Sequence, residues 1–150
     1  MGCSRSTDGG RTWKDTQPAL SFSGYDNLPS AQNGVGDPAI LFDPETKTLW
    51  VIAIWMHGER LGADEMSNYS GQAPKSSHYR VVMAKSTDDG KTWSRPMDVT
   101  PAIADPSWTL MCQGPGSGIA KKDGTLVFAA RYWDHSYSAH PVLVYSKDHG

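Results

Sequence analysis

The chain has 150 residues, with 14 Lys+Arg against 16 Asp+Glu and a formal net charge of −2. That length suits one domain or a piece of a larger one, and near-balanced charge removes the usual electrostatic signature of a nucleic-acid or anionic-membrane binder. At 38% hydrophobic and 20% charged it is too apolar for native disorder, and its two cysteines, Cys3 and Cys112, give neither a disulfide framework nor a paired metal spacing.

A high content of Gly (15), Pro (10) and Trp (6) points toward β structure. The longest apolar run, Leu49 to Met56, is eight residues, far short of the roughly 20 that a membrane-spanning helix needs. Near the start of the chain stands Ser6-Thr7-Asp8-Gly9-Gly10-Arg11-Thr12-Trp13. This pattern recurs as Ser86-Thr87-Asp88-Asp89-Gly90-Lys91-Thr92-Trp93, and Ser146-Lys147-Asp148-His149-Gly150 begins a third copy. Two full matches to S-x-D-x-G-x-T-W in so short a chain establish an internal repeat.

The elements between the boxes read as strands. Pro38 to Asp43 and Thr48 to Trp55 flank the turn Pro44-Glu45-Thr46-Lys47, a hairpin pattern. A polar loop from Gly58 to Ser77 follows, with a sequon at Asn68-Tyr69-Ser70 and adjoining acids at Asp64-Glu65. Val81 to Ala84 leads into the second box. Ser117 to Lys121, the turn Lys122-Asp123-Gly124, and Thr125 to Ala130 predict another hairpin, and Val142 to Tyr145 leads into the third box. No segment has a sustained helical period.

Within each box the Asp carboxylate can accept turn N–H groups, the Gly supplies a backbone conformation closed to most residues, and the Trp can lie over the turn. Ser6, Asp8, Gly10, Thr12 and Trp13, then Ser86, Asp88, Gly90, Thr92 and Trp93, then Ser146, Asp148 and Gly150 are therefore assigned a structural role. Antiparallel four-stranded units repeated along a chain build a β-propeller. The expected class is all-β. Residues 1–30 are expected to end one blade, 31–105 to make a complete one and 106–150 to begin a truncated third, about two to three blades of a larger ring.

The boxes resemble the Asp-box, or bacterial neuraminidase, repeat. Gly34-Val35-Gly36-Asp37-Pro38-Ala39-Ile40 with Trp55-Met56-His57-Gly58 resembles the second blade of the non-viral exo-α-sialidases. Trp108-Thr109-Leu110-Met111-Cys112-Gln113-Gly114-Pro115-Gly116-Ser117-Gly118-Ile119 resembles the start of that family's next blade. The resemblance implies a six-bladed β-propeller glycoside hydrolase that removes terminal sialic acid with retention, through a Tyr nucleophile. It implies no cofactor and no metal, a sialylated glycan as partner, and a secreted, periplasmic or lysosomal home for the intact protein.

In that family the nucleophile, the acid/base Asp and the three arginines that grip the substrate carboxylate fall outside the stretches matched here. No catalytic residue is expected within 1–150, and the chain by itself is expected to be inactive, with open strand edges that favour aggregation. The resemblance does transfer part of the sugar pocket. Asp37 is placed near the O4 or N-acetyl side, with a turn role before Pro38 as the other reading. Trp55 faces the acetyl methyl or belongs to the core. Trp108 and Gln113 flank the entry to the next blade, where the Gln could bond the sugar amide, and Arg131 and Tyr132 lie near the glycerol tail, with ordinary sheet packing or rim exposure as the competing reading. A non-catalytic Asp-box propeller that binds glycans or proteins is the alternative function. His57, His78, His135, His140 and His149 have no metal-ligand spacing, and Asp134-His135-Ser136 is adjacency without the geometry of a triad.

Overall fold

The computed structural model describes residues 1–27, 33–57, 79–108, 110–136 and 138–150. The polar loop with its sequon and the Asp64-Glu65 pair lies outside the described residues. Strands β1 (Gly2–Arg5) and β2 (Lys14–Pro18) form a two-stranded sheet around the first box. The middle sheet comprises β3 (Asn33–Asp43), β4 (Thr48–His57), β5 (Tyr79–Ser86) and β6 (Met97–Asp98). In the last sheet β7 (Leu110–Gln113), β10 (Leu126–Trp133) and β11 (Ala139–Ser146) lie side by side, and β9 (Ile119–Ala120) also pairs with β10. Between β7 and β9 the chain leaves its own sheet, and β8 (Gly116–Ser117) pairs in parallel with β3 of the middle one.

The hairpin predicted at residues 44–47 forms because Asp43 organises it: its carboxylate accepts the Glu45 N–H at 3.0 Å and the Thr46 hydroxyl at 2.6 Å. The apolar run of β4 is continuous because both its faces are covered. Trp50 and Ile52 point into a core shared with Met111, Leu126, Phe128 and Ala130 of the last sheet. Val51, Ala53 and Trp55 point the other way, toward Ala19 and Leu20. The middle sheet is thus packed face to face between its neighbours, the layering of propeller blades.

The boxes end the strands and lean on the preceding sheet. A Cβ on Gly150 would meet the Trp50 indole at 2.5 Å, and one on Gly90 would touch Arg5 and Leu49. His149 Nδ1 lies 2.9 Å from the Asp43 carboxylate across the seam. Asp43 titrates below its ordinary value. Burial opposes that shift, and the bonds from Thr46, the Glu45 N–H and His149 outweigh it. The short helix α1 (Thr100–Ile103) has no counterpart in the sequence reading. One turn begun by a proline leaves no period to detect, and it is held in place by the Val81 N–H, which donates to Thr100 Oγ1 at 2.8 Å.

Inside the boxes the bonding is repeated. Ser6 and Ser86 hydroxyls donate to Asp8 and Asp88 at 2.7 and 2.8 Å. The Gly10 and Gly90 N–H groups donate back to those serines at 2.8 and 2.9 Å. Thr12 and Thr92 each give both the N–H, at 2.9 Å, and the hydroxyl, at 2.6 Å, to the carboxylate. Ser146, Asp148 and Gly150 repeat the Ser–Asp and Gly–Ser contacts.

The threonine hydroxyl, then its N–H and the serine, hold Asp8 and Asp88 at about 2, below the ordinary 3.8. A depressed folded-state value means that the unfolded chain binds more protons between those limits. The contribution of the boxes is therefore present above pH 3.8 and is lost as pH falls toward 2. Thermal unfolding followed from pH 5 to pH 2 should show a falling melting temperature, with a shallower slope in Asp88→Asn.

Candidate functional site

At the end of β3 away from the boxes, the register slips between Gly36 and Ala39. Asp37 sits in this bulge at φ 51, in the left-handed region. A non-glycine residue held there costs about 1–3 kcal/mol and occurs where surrounding structure imposes it, often beside a ligand. The bulge turns Asp37 outward, exposed, with no hydrogen-bond partner among the described residues.

Across from it the last sheet's β7 ends in Gln113 and departs through Gly114-Pro115. Asp37, Gln113, Gly114, Pro115, Ala129, Ala130 and Arg131 line a cleft of about 210 Å³. Gln113 is 2% exposed, yet neither its Oε1 nor its Nε2 has a partner among the described residues. An unpaired buried amide costs about 1–3 kcal/mol, and the cleft it lines is where a ligand group could pair with it. The site thus offers one donor-acceptor amide and one carboxylate to a polyhydroxylated molecule.

The remaining sequence candidates are distributed around this cleft. Alternation along β10 sends Arg131 and Tyr132 to opposite faces. Arg131 Nε donates to Cys112 Sγ at 3.5 Å, and its guanidinium lies 4.6 Å from the Trp133 ring. Burial raises the Cys112 thiol, against the opposing pull of Arg131. Tyr132 stacks on Trp108 at 4.0 Å and on His140 at 4.9 Å, on the face that packs against the middle sheet. Trp55 is 6% exposed in the other core, stacked on Phe22 at 4.0 Å, with its Nε1 donating to Asn33. Asp37 and Gln113 therefore meet with Arg131 at the edge of the cleft, whereas Trp55, Trp108 and Tyr132 sit in packed aromatic groups.

Sequence reasoning did not single out Gly114, Pro115, Ala129 and Ala130 as lining residues. Small side chains carry no chemical signal, although the Gly114-Pro115-Gly116 run does mark a departure from strand geometry. The Asp134-His135-Ser136 stretch is a turn: Ser136 donates its hydroxyl to Asp134 at 2.6 Å, and the imidazole at that carboxylate belongs to His140, at 2.8 Å.

The family described as a BNR repeat-like domain matches residues 1–150. A sialidase of Bacteroides fragilis (strain YCH46) is 46% identical over 150 residues, covering 100% of this chain and 27% of that protein. Among solved structures, the Hadza microbial sialidase Hz136 superposes with a TM-score of 0.88 at 46% identity, over 99% of this chain and 29% of that one. A Trypanosoma rangeli sialidase in complex with sialic acid has a TM-score of 0.72 at 20% identity, over 98% of this chain and 23% of that one, a likeness of fold. The chain thus spans between a fifth and a third of the length of these proteins. Repeated boxes, stacked antiparallel sheets and a family match over its whole length show that the chain belongs to the BNR repeat-like domain family, as part of a β-propeller similar to that of the sialidases it matches.

Proposed function

We propose that residues 1–150 form one wall of the sugar pocket in an exo-α-sialidase, a glycoside hydrolase that releases terminal sialic acid from glycoconjugates with retention of configuration. The observation that carries this reading is the cleft in which the buried, partnerless amide of Gln113 faces the strained, outward Asp37. An N-acylated sugar presents an amide and several hydroxyls, and a glutamine amide can both donate to and accept from such a group. Asp37 accepts hydroxyl protons, and charge-assisted bonds of this kind are about twice as strong as neutral ones. Arg131 borders the cleft toward the sugar's polyol tail, and the Trp108–Tyr132 stack braces the strand that carries it.

The wall binds and orients. The nucleophile, the acid/base and the arginine clamp come from other blades, so the isolated chain turns over no sialoside. Incubating the full-length protein with a 4-methylumbelliferyl α-sialoside, and following the released sugar by proton NMR, tests the reading. The α anomer should appear first. Sugar binding without turnover would establish the non-catalytic propeller instead, and release of the β anomer first would overturn retention.

A further inference from the structure

The half of β3 that leads into Asp37 has little of its own to hold its register. It reads Asn33-Gly34-Val35-Gly36, and a glycine in a strand has no side chain to pack. Gly36 stands opposite Ile54 and Ala39 opposite Ile52, so Asp37 and Pro38 share the single residue Ala53 across the ladder. A strand with one residue to spare can shed it at more than one place, and Gly-rich strands specify their register weakly. If residues 33–36 slipped by one, Asp37 would be drawn into the ladder and out of the left-handed conformation it now holds at φ 51. Val35 resists such a slip only in part, since it is no more than partly buried against the core around Val51 and Trp55.

Asn33 supplies the missing anchor. It is 5% exposed, and both ends of its amide are bonded. Nδ2 donates to the Tyr25 carbonyl at 3.0 Å, and Oδ1 accepts the Trp55 indole N–H at 3.3 Å. Trp55 is itself held, with Phe22 stacked on it at 4.0 Å and Tyr25 edge-on at 4.8 Å. One short side chain therefore ties the first residue of β3 both to β4 and to the connection that leads in from β2. A slip of one residue would move Asn33 about 3.4 Å along the strand and turn it to the opposite face, breaking both bonds. Beyond the bulge, Ala39 and Leu41 are buried in the core shared with the last sheet and fix the other half of β3. The spare residue is caught between two pinned halves and falls at Asp37–Pro38.

We propose that Asn33 is a positioning residue for Asp37: its bonds to Trp55 and Tyr25 set the register of β3 so that the bulge turns the Asp37 carboxylate outward at the cleft. The proposal rests on the reading of Asp37 as a ligand contact and adds to it the means by which the contact is held. It also gives Trp55 a part in the site without touching ligand, as the partner that Asn33 grips. Groups that bind are placed accurately only when the residues behind them are locked by packing and hydrogen bonds.

The test is a double-mutant cycle in the full-length protein, read as kcat/KM on a 4-methylumbelliferyl α-sialoside, or as affinity for N-acetylneuraminic acid if there is no turnover. Asn33→Ala is expected to lower the reading about 10-fold when Asp37 is present, and by less than about twofold in Asp37→Gly, where no carboxylate is left to misplace. Asn33→Asp keeps an acceptor for the indole N–H and should recover part of the loss. Trp55→Phe keeps a ring against Phe22 but removes the N–H, and it should repeat the pattern even where Asn33→Ala does not fold. A crystal structure of a folded Asn33 variant with reduced activity should show the bulge displaced and Asp37 out of the left-handed region. Equal losses in both backgrounds would mean general loosening and would overturn the proposal, as would full activity in Asn33→Ala or an unmoved bulge. If Asp37→Gly alone changes nothing, the reading of Asp37 as a contact falls and takes the proposal with it. A loss in Asp37→Gly without one in Asn33→Ala sinks the proposal alone.

Discussion

Replacing Asp37 with alanine in the full-length protein is expected to lower kcat/KM on a sialoside by about 10- to 100-fold, the range for losing one or two charge-assisted hydrogen bonds. The carboxylate has no partner among the described residues, so its removal leaves no orphaned group behind in the protein. Two further variants separate contact from backbone support. Asn tolerates the left-handed conformation found at φ 51 and keeps an acceptor, while Gly adopts it without strain and keeps none. A binding role predicts activity in the order Asp, Asn, Gly. A purely conformational role predicts that Gly and Asn both remain near wild type, and steady-state kinetics on the three proteins decides between them.

The largest expected effect on stability lies at the seam between the middle and last sheets. Phe128 is buried there against Leu41 and the Gly118 backbone. Truncation to alanine removes a full aromatic ring from a shared core and should cost about 3–5 kcal/mol. Gly118 is the other half of the fit, since a Cβ there would stand 2.7 Å from the Phe128 ring and 2.8 Å from Leu41. Gly118→Ala alone should therefore destabilise by about 1–3 kcal/mol through overpacking. Combined with Phe128→Leu, it should cost less than the sum of the two, because the smaller side chain yields the space that the new methyl needs. Denaturant midpoints of the full-length protein for both singles and the double complete the cycle. Strict additivity would mean that the two residues do not share this space.

Much of the molecule was legible from local pattern. The hairpins around residues 44–47 and 122–124, the strands that precede the boxes, and the repeat itself all depend on residues within a few positions of one another. Turn chemistry and alternation report such neighbours directly. The same holds inside a box, where Ser86, Asp88, Gly90 and Thr92 satisfy one another without help from elsewhere. That closure is why the motif survives as a readable string.

The site was legible only in part. Asp37 and Gln113 stand out in the sequence as polar residues in family-like stretches, but their meeting in one cleft depends on how two sheets stack. Trp55 shows the limit from the other side. A tryptophan at the end of an apolar run serves equally as core or as sugar contact, and only the arrival of Phe22 and Tyr25 against it sets its place in a packed aromatic group. The departure of Gly116–Ser117 to pair with β3, and the His149–Asp43 contact across 106 positions, left no local trace either.

The sequence by itself determined the class, the repeat, the family and the turn chemistry, because these arise from short-range sterics and hydrogen bonding. Tertiary structure decided which face each strand turns to its neighbour, and with that the cleft, the seam and the fate of each tryptophan. Packing joins residues that the chain holds far apart, and no pairwise pattern along the sequence encodes the stacking of one sheet on the next.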